Sequence, residues 1–255
     1  MFDGELFAWL VRYQTSERRC VIRVLLIGGA SGIGRAVAAE IVDGGGEVIL
    51  AGRRPDVLND AAATLGTSAS ASSVIVDLTD EASISAAAAE VGSVDHVVSL
   101  AADHANGPVA DLDVADIRKA FDAKVIGPIV LAKHVASSIT EGGSLLFFSG
   151  VAGWKPAPGL SVMATTNGAV AFLVEALAVE LAPIRVNAVS PGIVDSGAWD
   201  SMGAGKDSFF AETARANPAG RVGRPDDVVA AVLFVLTNTF VTGTTVHVDG
   251  GGRFA

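Results

Sequence analysis

The sequence predicts an α/β fold in which helices cover both faces of a doubly wound parallel β-sheet. Two observations predict it. Short apolar runs typical of buried strands alternate with helical segments along most of the chain, and glycines cluster between the first such run and the helix after it. Alternation of this kind gives parallel strands joined by crossover helices. A chain of 255 residues suffices for one such domain with a large core, so a single domain is expected.

The first predicted strand leads through a glycine-rich turn into a helix. Val24–Ile27 is apolar without a helical period, a glycine-rich turn follows, and apolar residues then recur at helical spacing. In a doubly wound fold such a turn lets the main chain approach a pyrophosphate, and the helix start offers free N–H groups and a positive dipole end. The same turn also serves simply to pack a helix on a sheet. We predict dinucleotide binding here, by Gly28, Ser31, Gly32 and Ile33.

The second and third strands are predicted at 47–51 and 73–76. The second runs into a helix at 56–65 that begins after Pro55, because proline suits a helix start. The third is followed by Asp77–Asp80, which leads into an alanine-rich helix. Both strands therefore have the helical partner that a parallel crossover needs.

The rest of the chain repeats the pattern. Apolar runs predict strands at 96–100, 144–148, 185–189 and 245–248. Helical spacing predicts helices at 114–139, 160–181 and 225–236. In a doubly wound sheet, ligands bind beyond the carboxyl ends of the strands, so the segments that follow the strands are the candidate site.

The segments after the second, third and fourth strands indicate which cofactor binds. Arg53 and Arg54 stand where a carboxylate would hold the ribose hydroxyls of NAD, whereas arginine favours the 2′-phosphate of NADP. A solvated arginine pair is the simpler alternative. Asp77, beside Leu78, either accepts from the adenine amino group or caps the next helix. Ala101 is small enough for a cofactor to lie flat. We predict NADP(H) in preference to NAD(H).

The segment after the sixth strand has two parts. Pro191, Gly192 and Ile193 form a rigid turn whose main chain is expected to bond a nicotinamide carboxamide. Residues 196–217 follow, punctuated by glycine and carrying aromatic side chains such as Trp199. We expect this stretch to be a mobile lid over the substrate; the alternative is a helix-packing or interface surface.

Composition limits the partners. The formal net charge of −10 argues against nucleic acid, whose phosphates attract basic surfaces. Cys20 is the only cysteine, so neither disulfides nor a thiolate metal site is expected, and the remaining candidate ligands lack metal-binding spacing. The longest apolar stretch, 169–181, is interrupted by Glu175 and Glu180, so no membrane span is expected. These features predict a cytoplasmic protein without a metal.

The first 22 residues differ from the rest. Residues 7–11 are apolar, but Asp3 and Glu5 precede them and no small-residue cleavage site follows, which is a poor secretory signal. We expect 1–22 to be a poorly ordered extension, with a docking arm as the alternative. The dinucleotide-binding domain is expected at 23–255.

Six stretches carry a family resemblance: Gly28–Gly34, Val76–Asp80, Gly143–Gly153, Arg185–Gly192, Gly223–Pro225 and Val241–Gly251. With them the sequence resembles the short-chain dehydrogenase/reductase family over nearly its whole length. The resemblance implies a Rossmann-like sheet of seven parallel strands and a nicotinamide cofactor. It also implies a homo-oligomer, often a tetramer, built through the helices predicted at 114–139 and 160–181.

The resemblance further implies a catalytic serine, tyrosine, lysine and asparagine, and this chain differs at all four positions. Gly150 stands for the serine, Met163 for the tyrosine, Asn167 for the lysine and Lys124 for the asparagine. Gly150 has no side chain to hold an oxyanion, and the Met163 thioether has no proton to give. Ser149, one residue earlier, is not the residue that the family uses.

The lysine and asparagine positions thus look exchanged. The resemblance implies that their helices line one pocket, so an ammonium group would still reach the nicotinamide ribose. We expect Lys124 to anchor the cofactor or to act as an acid, with Asn167 bonded to it or to the ribose. The alternative is an ordinary ion pair of Lys124 with Asp122 or Asp103.

Three functions are compatible with these expectations. The first is an oxidoreductase that uses NADP(H) on a small, apolar carbonyl or alcohol through a non-standard proton relay. The second is a protein that binds NADP(H) or another ligand without transferring hydride. The third is a non-redox catalyst, such as a cyclase or isomerase, that keeps the pocket and discards the proton donor. A homo-oligomer, either a tetramer or a dimer, is expected in each case.

Overall fold

A computed structural model describes residues 21–67 and 69–255, so the expectation of a poorly ordered extension at 1–22 falls almost entirely outside the described residues. The strands are β1 (Arg23–Ile27), β2 (Glu47–Gly52), β3 (Ala71–Ile75), β4 (Val94–Ser99), β5 (Ile139–Phe148), β6 (Arg185–Pro191) and β7 (Thr245–Val248). The α-helices are α1 (Gly32–Asp43), α2 (Pro55–Leu65), α3 (Glu81–Val91), α4 (Val114–Phe121), α5 (Gly127–Val135), α6 (Ser161–Glu180), α7 (Lys206–Ala216) and α8 (Pro225–Thr237).

The seven strands form one parallel sheet in the order β3-β2-β1-β4-β5-β6-β7, which confirms the predicted fold class. The winding reverses between β1 and β4, which lie side by side. Side chains of β1 alternate between the two faces: Leu25 and Ile27 join one buried apolar cluster, and Val24 and Leu26 join the other. The sheet is therefore covered on both faces, as a doubly wound fold requires.

The prediction of a single helix at 114–139 is wrong, because the segment is not one continuous α-helix. A π-helical turn at Asp122–Ile126 separates α4 from α5, and a short 3₁₀ turn at 136–138 ends the segment. Pro128 has no N–H and its ring crowds the carbonyl four residues back, which is that of Lys124, so regular α-helical bonding fails there. The Gly127 N–H instead reaches back five residues to the Asp122 carbonyl. Lys124 thus lies in the middle of the irregular turn.

Strand β5 starts five residues earlier than the predicted 144–148, at Ile139. The early part was not visible as an apolar run because Thr140, Glu141 and Gly142 are exposed. Gly143 allows the chain to pass against the Asp95 carbonyl of β4, since a Cβ at this position would collide with that oxygen.

Helix α6 is the one helix among the described residues that is long and apolar enough, by length and composition alone, to cross a membrane. In the structure it packs along β6, with Val170 and Val174 buried in the core. Packing of this helix in the core therefore accounts for at least part of its apolar composition.

Candidate cofactor and active site

A cavity of about 500 Å³ opens at the carboxyl ends of β1, β2, β3 and β4, where the winding of the sheet reverses. This is the position at which doubly wound sheets bind their ligands. The predicted cofactor residues that line it are Gly28, Ser31, Arg53, Arg54, Asp77, Leu78 and Ala101. The structure therefore brings together residues from four separate segments of the sequence.

The start of α1 has unused hydrogen-bond donors. Ser31 occupies the N-cap position in an extended conformation, but its side chain makes no capping hydrogen bond, and the first turn contains no acidic residue. By contrast, Asp80 and Asp113 cap α3 and α4 through their carboxylates. The main-chain N–H groups of this first turn are left for an anion. The site fits the pyrophosphate of a dinucleotide for this reason.

The glycine turn is shaped by close main-chain contacts. A Cβ on Gly34 would collide with the Gly28 carbonyl oxygen, so glycine is needed where α1 crosses the turn. Gly32 has a φ of +52°, in the left-handed region, and a Cβ there would lie 3.2 Å from the Ser196 carbonyl oxygen. The segment after β6 therefore lies directly against the turn. Sequence reasoning missed Ser196, whose only signal was its place at the start of the predicted lid.

Charged side chains lie at the end of the cavity that is formed by the segments after β2, β3 and β4. Arg53 lies 3.7 Å from Asp103, and Asp103 lies 3.6 Å from Lys119 of α4. Asp77 accepts hydrogen bonds from the main-chain N–H and the hydroxyl of Thr79, which with the nearby Arg53 charge hold the pKa of its carboxyl below the usual value. The cap of α3 is Asp80 rather than Asp77.

Lys124 is a buried cation. Its Nζ makes one long hydrogen bond, 3.5 Å, to the main-chain carbonyl of Ser149, and burial lowers the pKa of its ammonium group to about 8. Within the described residues no carboxylate pairs with it, so the ion pairs considered with Asp122 and Asp103 do not form. Partial burial and the Lys124 charge also lower the pKa of His104, which follows β4.

Asn167 lies beside Gly150 and Ser149. A Cβ on Gly150 would lie 3.0 Å from Nδ2 of Asn167, so the Asn167 amide borders the space that a side chain at 150 would need. Ser149 donates its hydroxyl hydrogen to the Asn167 main-chain carbonyl, at 2.8 Å. Asn167 Oδ1 is buried, and no donor in the described part of the chain reaches it. Met163, one turn earlier on α6, lies on the same helix face.

The remaining predicted residues do not line the cavity. The Ile33 side chain packs against the core cluster. Gly192 donates its N–H to the Val248 carbonyl at 3.0 Å, so the turn after β6 continues alongside β7. Ile193 lines a second cavity of about 350 Å³ near the end of β7.

Within the described ranges, no three side chains of the metal-binding types lie close enough together to hold an ion.

Two loops and one partly helical segment follow β4, β5 and β6. The Gly107 N–H donates to the Gly159 carbonyl at 2.8 Å, which joins the loops that follow β4 and β5. In the segment predicted as a lid, the rings of Trp199 and Phe209 lie 4.8 Å apart. The segment is helical in part, with a 3₁₀ turn at Asp200–Gly205 ahead of α7.

Comparison with known proteins gives consistent matches. A family model described as enoyl-(acyl carrier protein) reductase matches residues 28–252. The short-chain dehydrogenase/reductase ATR9 of Stachybotrys chlorohalonatus is 32% identical over 247 residues, which cover 89% of this chain and 95% of ATR9.

Two solved structures are also similar. A small-chain dehydrogenase in complex with NADPH is 30% identical, with a TM-score of 0.77 over 92% of this chain and 100% of its own. The MalC reductase/Diels-Alderase of Malbranchea aurantiaca is 27% identical, with a TM-score of 0.88 over 98% of this chain and 100% of its own.

Proposed function

The chain belongs to the short-chain dehydrogenase/reductase family of NAD(P)-dependent oxidoreductases, and we propose that it interconverts a small, apolar carbonyl compound and its alcohol with NADP(H). We propose Lys124 as its proton carrier. The observation that carries the proposal is the buried ammonium group of Lys124, which lies at Ser149 and is not neutralised by any described carboxylate.

Binding of the cofactor is assigned to the cavity at the strand ends. The free N–H groups at the start of α1 receive the pyrophosphate, and Arg53 and Arg54 receive the 2′-phosphate of NADP(H). The similarity to a dehydrogenase that binds NADPH supports this choice of cofactor. Bound NADP(H) supplies or accepts the hydride. Lys124 and Asn167 extend the site toward the nicotinamide ribose.

The proton step is assigned to Lys124 Nζ. A lysine with a pKa of about 8 is still largely protonated at neutral pH, and it gives up its proton more easily than an exposed lysine does. During reduction Nζ donates to the substrate oxygen, and during oxidation the neutral amine accepts that proton. The Ser149 carbonyl orients the ammonium group. The Asn167 amide positions the substrate oxygen or the ribose, because the Ser149 hydroxyl is already used by the main chain.

The lid over the substrate and the contacts between copies of the chain are both inferred from apolar side chains. Residues 196–217, with Trp199 and Phe209 in contact, are proposed to close over an apolar substrate. Exposed apolar side chains at Ile129 of α5 and at Phe172 and Val179 of α6 are proposed to be covered by further copies of the chain in a dimer or tetramer.

The proposal is tested by titrating the full chain with NADPH and NADH, followed by carbonyl reduction. We expect tighter binding of NADPH and oxidation of NADPH by at least one apolar ketone or aldehyde. The Lys124→Met variant should lose about 10²- to 10⁴-fold in turnover. Lys155→Met, which removes an exposed lysine near the site, is the matched control and should retain activity. Unchanged turnover in Lys124→Met would refute the role of Lys124.

A second candidate is a non-redox reaction in the same pocket. Gly150 and Met163 remove the family's usual oxyanion and proton donors, and a reductase/Diels-Alderase resembles this chain over 98% of its length. A pericyclic ring closure needs a shaped apolar pocket and no hydride. Tight NADPH binding without NADPH oxidation across a broad panel of carbonyl compounds would favour this candidate over the first.

A further inference from the structure

Asp103 bridges two cations at the mouth of the cofactor cavity. Its Oδ2 lies 3.7 Å from the guanidinium of Arg53, and its Oδ1 lies 3.6 Å from Nζ of Lys119. Asp103 and Arg53 both line the cavity, whereas Lys119 lies on α4 outside the lining. The three residues come from segments after β2, after β4 and on a helix, so only the fold brings them together.

The three side chains differ in their exposure to water. The Asp103 side chain is 25% exposed, while those of Arg53 and Lys119 are 57% and 53% exposed. The charge of Asp103 is therefore screened less by solvent than the charges of its partners. Arg53 and Lys119 also have long side chains that can turn toward a ligand, whereas a short aspartate at a loop position moves little.

Arg53 already has an anionic partner before any cofactor arrives. The proposed function gives Arg53 to the 2′-phosphate of NADP(H), so this phosphate and the Asp103 carboxylate compete for one guanidinium. Lys119 remains beside Asp103 when Arg53 turns away, which keeps that carboxylate from being left unpaired. NAD(H) has no 2′-phosphate and leaves the Arg53–Asp103 pair as it is.

We propose that Asp103 limits the selectivity of this protein for NADP(H), acting on Arg53 as an internal substitute for the 2′-phosphate, with Lys119 as the cation that allows the exchange. The proposal rests on the proposed binding of NADP(H). Loss of the Asp103 charge removes both a competitor for Arg53 and a repulsion on the phosphate. Loss of the Lys119 charge leaves Asp103 more dependent on Arg53 and makes the exchange less favourable.

Other charges at this end act differently. Asp77 lies near enough for the Arg53 charge to lower the pKa of its carboxyl, but its hydrogen bonds go to Thr79 of its own turn. Arg54 lines the same cavity and is exposed. Removal of either would change phosphate binding without acting through the bridge between Arg53 and Lys119.

Calorimetric titration with two fragments of the cofactor measures binding at the adenosine part of the proposed site alone. Adenosine 2′,5′-bisphosphate and 5′-AMP differ only in the 2′-phosphate, so the ratio of their dissociation constants measures recognition of that group without any hydride transfer. Asp103→Asn should raise this ratio in favour of the bisphosphate by about two- to fivefold, and Lys119→Met should lower it by a similar factor. In the double variant the effect of Lys119→Met should be smaller, because the carboxylate that it neutralises is gone.

Asp111→Asn is the matched control, because Asp111 is an exposed aspartate in the same stretch of chain that lies outside the cavity lining. It should leave the ratio unchanged. An unchanged or lowered ratio in Asp103→Asn, or an equal rise in Asp111→Asn, overturns the proposal. Thermal unfolding of each variant separates a loss of folding from a loss of recognition.

The wild-type titration separates this proposal from the function on which it rests. A wild-type chain that binds neither the bisphosphate nor NADPH would refute the proposed function and this inference together. A wild-type chain that prefers the bisphosphate, combined with an unaltered Asp103→Asn variant, would refute the inference alone.

Discussion

At the scale of single residues, two buried basic groups have altered acidity for the same reason. Burial removes water from the charged form of Lys124 and of His96 and lowers the pKa of each. Lys124 lies in the candidate active site, whereas His96 lies within the sheet and shares a hydrogen bond of 2.9 Å with Ser144. We therefore expect the pKa of Lys124 to affect activity and the pKa of His96 to affect stability.

The pH dependence of carbonyl reduction should follow Lys124. The donor must carry its proton, so kcat/KM is expected to be level below pH about 8 and to fall about tenfold per pH unit above it. Lys124→Met should lack this falling limb. His104→Gln is the control: partial burial and the Lys124 charge lower the pKa of His104, so it is neutral in this range and its loss should leave the limb in place. A falling limb that persists in Lys124→Met would contradict the assignment.

The stability of the protein should fall in mild acid because of His96. Burial first, and the Arg185 charge second, lower its pKa from 6.5 to about 4 in the folded state. The unfolded chain therefore takes up the proton first as pH falls from 6.5 to 4, and the free energy of unfolding decreases by about 3 kcal/mol over that window. Denaturant titrations at pH 7 and pH 4 measure the loss. The loss should be smaller in His96→Gln, and an equal loss in that variant would contradict the assignment to His96.

At the scale of elements, the crossing of α1 over the glycine turn depends on Gly34. Alanine at this position would place its methyl group against main-chain atoms of Gly28 and Gly29, which cannot move aside as the end of a flexible side chain could. Gly34→Ala is expected to lower the free energy of unfolding by about 3 kcal/mol or more. Gly168→Ala is the matched change, since nothing lies within 4 Å of its Cβ position on α6, and it should be neutral or stabilising. Equal thermal stability of the two variants would contradict this account.

The sequence predicted elements better than it predicted the contacts between them. Strand and helix signals are local, so the succession of strands and helices along the chain followed from the hydrophobic pattern, and the turn before α1 followed from its glycines. The π-helical turn at Lys124 did not, because the apolar spacing runs unbroken through Pro128 and hides the lost hydrogen bond. The contact of Asn167 with Gly150 and the bridge from Arg53 to Asp103 join residues far apart in sequence, and no local pattern records them.

At the scale of the whole molecule, apolar surface remains on one side of the sheet. Phe172 and Val179 of α6 are 75% and 82% exposed, and their spacing of seven residues places them on one helix face. A monomer rarely leaves such side chains in water. A second copy of the chain is the proposed cover.

Charge introduced on that face should separate the copies. Phe172→Asp combined with Val179→Asp is expected to shift the protein from a tetramer or dimer to a smaller species, measured by light scattering on a sizing column. Ile75→Asp, an exposed apolar residue on the edge strand β3, is the control and should leave the mass unchanged. A monomeric wild-type protein would rule out this assembly.

The contact between the Ser196 carbonyl and Gly32 bears on the kinetics of turnover. The chain after β6 lies against the turn that we propose as the pyrophosphate site, so a lid formed by this stretch would require the nucleotide to bind before it closes and to leave after it opens. We therefore expect a steady-state reaction of compulsory order, with the nucleotide first to bind and last to leave. Oxidised nucleotide should accordingly compete with reduced nucleotide at every concentration of the carbonyl compound, and the alcohol product should not.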